Sequence, residues 1–72
     1  MCEVRVIIES ADGSVVETLD DVATIIPSDD SLTLVDLFGG QKSDKASFKE
    51  VKLLDHTVVL TAGSAGGGAT DV

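Results

Sequence analysis

The chain has no tryptophan and no tyrosine, and Phe38 and Phe48 are its whole aromatic complement across 72 residues. Single-stranded nucleic acid is commonly held by stacking bases on such rings, so that platform is poorly supplied. Positive charge is almost as scarce. Five Lys and Arg stand against 13 Asp and Glu, for a net charge of −8. Arg5 is isolated, and the other four basic residues fall between Lys42 and Lys52. Neutralising phosphates takes a basic surface, so the composition argues against nucleic acid as a partner. No apolar run reaches 18 residues and no basic-then-apolar leader opens the sequence, so neither a membrane span nor a secretion signal is expected. The single cysteine, Cys2, cannot form an internal disulfide, and a lone reduced thiol fits the cytoplasm. One Cys and one His, with no third group identifiable to orient them, make no nucleophile–base set. A domain this small also leaves little room for a substrate pocket of ~300 Å³ or more. The expectation is a protein that is not an enzyme.

What the chain does have is alternation. In CEVRVIIES, Cys2, Val4, Val6 and Ile8 point one way, and Glu3, Arg5, Ile7 and Glu9 the other. That is the period of a half-buried strand. Asp12-Gly13 is a hairpin turn signal, and SVVETL returns as a second strand. DDVATIIP is a third apolar run, closed by Pro27, and SDDS is a polar turn. LTLVDLFG predicts a fourth strand with Leu32, Leu34 and Phe38 alternating inward, broken at Gly39-Gly40. QKSDKAS is a loop or weak edge strand. FKEVKLLD and VVLT are a fifth and sixth strand, joined around Asp55-His56. The stretch SDKASFKEVKLLD also carries a ragged helical stripe, but the β-branched residues at both ends of VKLLDHTVVL favour a hairpin. Short, evenly spaced strands predict an all-β barrel or sandwich. The folded domain is expected over residues 1–61, followed by a flexible tail over 62–72 with four glycines and one valine. A core that small supplies about 3–5 kcal/mol, so self-association or a metal is expected to help it.

Several polar features have ordinary explanations. His56 lies in an Asp-His-Thr turn, where a solvated side chain is expected. Asp20-Asp21 and Asp29-Asp30 lack the glycine and glutamate pattern of a calcium loop and are expected to keep turns soluble. Gly39-Gly40 has no following Lys-Ser/Thr to make a phosphate cradle. Asp36 either faces solvent by alternation or caps the Gly39-Gly40 turn. Lys42 to Lys52 alternate with acids, the pattern of a solvated face. From spacing alone Cys2 is a small apolar side chain of the strand face, and an intermolecular disulfide between two copies is another outcome.

Three segments taken in order, MCEVRV, LTLVDLFGG and FKEVKLLDHTVVL, resemble the CooT family of small nickel-binding proteins over Met1 to Thr61. The resemblance implies a small SH3-like barrel of five to six short strands, homodimeric, with Cys2 of each chain meeting near the two-fold axis to hold about one Ni(II) per dimer. It also implies a nickel chaperone or store. In the founding member of the family the client is carbon monoxide dehydrogenase or its maturation machinery.

The chemistry of position 2 is consistent with that. The Cys2 thiolate and its own backbone nitrogen close a five-membered chelate ring, and the Met1 amine with the same nitrogen closes another. A thiolate with nitrogen donors in one plane suits Ni(II) and also Cu(II). Binding releases thiol protons, so affinity rises with pH. One chain offers too few soft donors, whereas a two-fold axis doubles them. The metal ligands expected are therefore Cys2 and Met1. The alternative is a small SH3-like RNA- or protein-binding module with no metal, in which Cys2 merely packs.

Overall fold

The computed structural model describes residues 3–63, and these form a single six-stranded sheet with no helix. The strands are β1 (Val4–Glu9), β2 (Val15–Pro27), β3 (Leu32–Asp36), β4 (Gln41–Asp44), β5 (Ala46–Lys52) and β6 (Thr57–Ala62). Their order across the sheet is β4-β3-β2-β1-β6-β5. Every neighbouring pair is antiparallel except β1 and β6, which run parallel from Arg5↔Thr57 to Glu9↔Thr61.

That order forces the sheet to curl. β4 and β5 are its two edges, yet only Lys45 separates them in the chain. Laid flat, five inter-strand spacings would hold the edges roughly 24 Å apart, while two residues span at most ~7 Å. The edges therefore meet at Lys45, whose carbonyl accepts a hydrogen bond from Gly63 N at 2.7 Å. The all-β class and the strand number match the expectation. The sheet is not closed into a barrel: no ladder runs between β4 and β5 among the described residues.

Inside the curl the alternating apolar positions meet. Val6 and Ile8 of β1, Val22 of β2, Leu32 and Leu34 of β3, Ala46 of β5, and Val58 and Leu60 of β6 form one buried cluster. Val4, Leu19, Ile25 and Ala62 pack around it. The inward face expected for Val4, Val6 and Ile8 is thus the core face. Cys2, expected on that same face, lies outside the described residues, as does the part of the Gly-rich tail from residue 64 onward.

Two expectations are corrected. SVVETL and DDVATIIP are not separate strands but one continuous β2. Where a turn was expected at Asp20-Asp21, the strand instead bulges: Val4 pairs with Val22 but Val6 with Leu19, so two residues of β2 oppose Arg5 alone. Asp21 takes φ +61° to absorb the extra residue, a conformation Asp tolerates better than most. The bulge bends β2, so that its first half pairs with β1 and its second half with β3. The second correction is Phe38. β3 stops at Asp36, and Phe38 stands on the following turn, 85% exposed rather than inward. The reason is Asp36, whose Oδ1 accepts hydrogen bonds from Phe38 N at 2.8 Å and Gly40 N at 2.9 Å and so turns the chain before it reaches Phe38. Asp36 is the cap of that turn. A Cβ at Gly40 would sit 2.8 Å from Asp36 Oδ2. Gly40→Ala is therefore expected to push the carboxylate off its donors and cost about 1 kcal/mol, read as a lower urea midpoint.

The β1–β2 turn follows its signal. Gly13 takes φ +91°, the left-handed region glycine enters freely. Asp12 Oδ1 accepts from the Ser10 hydroxyl, from Ser14 Oγ at 2.7 Å and from Ser14 N at 2.9 Å. These bonds, the Ser10 hydroxyl first, stabilise the carboxylate and lower the Asp12 pKa from 3.8 to about 2. A lowered folded-state value means the turn's contribution is complete above the ordinary carboxylate range. It is lost as pH falls toward 2. Carboxyl carbon chemical shifts are expected to show Asp12 titrating near that value, and Ser10→Ala with Ser14→Ala to return it toward normal.

Candidate functional site

The start of β1 is where polar side chains gather. On one side of Arg5 lies the Asp20-Asp21 bulge of β2, and on the other lies Thr57 at the start of β6. The turn before β6 folds against the same point, since Arg5 N donates to the His56 carbonyl at 2.9 Å. The result is an open cleft of about 580 Å³ lined by Glu3, Val4, Arg5, Asp20, Asp21, Asp55, His56 and Thr57.

Four carboxylates face this cleft against one guanidinium and one imidazole. Arg5 Nε donates to Asp20 Oδ1 at 2.9 Å, so part of its charge is already committed. Asp21 and His56 are the two non-glycine residues with positive φ among those described, at +61° and +50°, and both border the cleft. His56 is exposed, as a turn histidine was expected to be. Its place in space was not expected: a residue at the far end of the sequence lies beside the strand that Cys2 precedes. Parallel pairing of β1 with β6 is what brings it there, and no local signal in the sequence announces a pairing between segments some 50 residues apart.

As a metal site the described residues are incomplete. No group of three or more His, Cys, Asp or Glu side chains among them converges to hold an ion. The carboxylates and the imidazole supply hard and borderline donors, and a site for a thiophilic divalent ion needs sulfur as well. The expected ligands, Cys2 and Met1, lie outside the described residues. Glu3, which follows Cys2 in the sequence, lines the cleft.

The lysines do not form a free basic surface. Lys42 lies 3.3 Å from Glu17 and 3.5 Å from Asp44, Lys45 lies 3.9 Å from Asp30, and Lys49 Nζ donates to Glu9 Oε1 at 2.6 Å. The ion pairs with Glu17 and Glu9 raise the pKa values of Lys42 and Lys49, as expected when the charged form gains a partner.

A family model described as CO dehydrogenase accessory protein CooT matches residues 1–61. A crystal structure assigned as CooT from Carboxydothermus hydrogenoformans is similar to this chain with a TM-score of 0.70 and 30% sequence identity, covering 88% of this chain and 100% of that one. No curated protein sequence matches.

Proposed function

The chain belongs to the CooT family of CO dehydrogenase accessory proteins, and on that footing we propose that it is a homodimeric nickel chaperone or store, working in the cytoplasm, that serves maturation of a nickel enzyme such as CO dehydrogenase. Nickel is its cargo rather than a reactant. Cys2 of each of two chains supplies a thiolate to one shared ion, and the backbone nitrogens of Met1 and Cys2 complete the donor set. The observation that supports this best is the cleft at the start of β1. It gathers four acid side chains and His56, and Glu3, the residue that follows Cys2 in the sequence, is among those acids. One chain offers a single thiol, and a two-fold axis would supply the second. An accessory role also agrees with the lack of a nucleophile–base set.

The binding-module alternative gains nothing from the lysines, three of which are engaged by acids of the same chain. Native mass spectrometry of the reduced protein with Ni(II) tests the proposal. One ion per two chains is the expected result. A monomer, or a dimer that takes up no nickel, would overturn it.

A further inference from the structure

β4 is an edge strand, paired with β3 on one side only among the described residues. Asp36 N donates to the Gly40 carbonyl at 2.9 Å at the head of that ladder. Bonded and non-bonded pairs alternate along an antiparallel ladder, so the next bonded pairs fall at Leu34↔Lys42 and Leu32↔Asp44. The backbone N–H and C=O groups of Gln41 and Ser43 are left pointing away from β3. The β3–β4 ladder has no register shift, whereas β5, the other edge, bulges between Phe48 and Glu50. A bulge blunts an edge against further pairing, so β4 is the more receptive of the two.

The inner face beside this edge carries a pocket. Lys42 and Asp44 pair with the core residues Leu34 and Leu32, so their side chains stand on the inner face of the sheet. There an open pocket of about 210 Å³ has Leu19, Val22 and Leu34 at its floor and Asp20, Asp36 and Lys42 around it. That is below the ~300 Å³ at which small-molecule sites begin, and it suits one large aliphatic side chain. Lys42 does not make the pocket basic, because Glu17 at 3.3 Å and Asp44 at 3.5 Å both engage it. Asp44 Oδ2 is buried and accepts no hydrogen bond among the described residues. Its 3.5 Å from Lys42 Nζ is an ion-pair distance, longer than an ordinary hydrogen bond. A buried acceptor left without a donor is costly, and an arriving donor recovers that cost.

We propose that the free edge of β4 takes up an extended segment of a partner protein as an added strand, with an apolar side chain of that segment entering the pocket and a Lys or Arg two residues to either side of it meeting Asp44 and Asp36. An added strand turns every second side chain to the inner face. The side chain opposite Lys42 lies over the apolar floor. Those two positions away stand opposite Asp44 and opposite Gly40, whose Cα neighbourhood holds the Asp36 carboxylate. Charge selects the partner: an acidic segment would bring like charge to these carboxylates on a chain already at −8. Backbone bonds to Gln41 and Ser43 supply affinity, and the pocket with its flanking acids supplies the choice of side chains. The surface uses β2, β3 and β4 alone. It goes beyond the nickel reading and needs none of its ligands.

Titration of the full reduced chain, in chelator, with the peptide acetyl-Thr-Lys-Thr-Leu-Thr-Lys-Thr-amide tests this by amide hydrogen exchange and nitrogen–proton spectra. The Gln41 and Ser43 amides are expected to exchange freely in the protein alone and to slow at least about tenfold at saturating peptide. Replacing the leucine of the peptide by serine, or its lysines by glutamate, is expected to weaken binding at least about tenfold. Gln41→Pro removes an outward N–H and leaves the ladder to β3 intact, so binding should fall at least about tenfold with the thermal midpoint near wild type. Asp44→Asn should weaken the lysine peptide by about two- to fivefold, and with the exchange data it decides the matter if the proline variant does not fold. No binding of the lysine peptide, equal binding of the glutamate peptide, or binding that leaves Gln41 and Ser43 unprotected would overturn the proposal. Protection of those two amides before peptide is added would also overturn it, since the edge would then be covered by a second copy or by the chain itself. Chelator keeps nickel out of the experiment, so a chain that binds no nickel and still binds the peptide loses the nickel reading alone.

Discussion

Cys2→Ser is expected to weaken nickel binding by at least about 100-fold in competition against a chromophoric chelator. Removing a supporting group around a metal commonly costs 10–100-fold, and under the proposed function Cys2→Ser removes a ligand itself. If two chains share the ion as proposed, symmetry doubles the damage, because one substitution removes both sulfurs. Serine keeps the size of the side chain, but its hydroxyl stays protonated at neutral pH and is a hard donor, so it does not replace a thiolate toward nickel. The carboxylates and His56 at the cleft do not compensate, since no three of the described donors converge. Sulfur-to-nickel charge-transfer absorption in the near ultraviolet, present in wild type, should be absent from the variant. The far-ultraviolet spectrum and thermal midpoint of the metal-free protein should stay close to wild type, because serine keeps the size of the side chain it replaces. A serine variant that binds nickel within a few-fold of wild type would return Cys2 to a packing role and put the binding-module alternative in front.

The parts of the molecule that were legible in the sequence are those governed by neighbours in the chain. Alternation in Val4, Val6 and Ile8 gave the core face of β1, and Asp12-Gly13 gave the first hairpin. The β5–β6 hairpin around Asp55-His56 was equally local. Asp20-Asp21 misled because two adjacent acids have the composition of a turn, whereas their conformation is decided by Arg5 across the ladder, with which Asp20 makes an ion pair. Phe38 misled because alternation was extended through Asp36, whose side chain ends the strand by accepting the Phe38 and Gly40 amides. The cleft was the least legible feature. Its lining comes from residues 3–5, 20–21 and 55–57, segments joined only by long-range pairing. Cys2 was singled out by its chemistry, and the proximity of His56 to its strand is what the fold adds.

Leu60→Ala is expected to bring the metal-free chain to the edge of unfolding. Leu60 is fully buried and lies in the middle of β6, paired with Ile8 of β1 on one side and Phe48 of β5 on the other. The cluster around it spans β1, β2, β3, β5 and β6, so neither sheet half can shift to fill the space without losing contacts elsewhere. Truncating a leucine at such a position costs about 2–5 kcal/mol. A core of this size supplies only about 3–5 kcal/mol. The expected outcome is a variant partly unfolded at 25 °C, with a urea transition that lacks a folded baseline. Val16→Ala, at a position 60% exposed on β2, should change stability by no more than about 0.5 kcal/mol and serves as the control. Nickel separates the two sources of stability. If the ion binds the folded dimer and not the unfolded chain, saturating Ni(II) should restore the folded baseline of Leu60→Ala by mass action, and should fail to do so when Cys2→Ser is added. A Leu60→Ala chain that unfolds with a midpoint near wild type would mean that the cluster around Leu60 is not what holds the sheet in its curl.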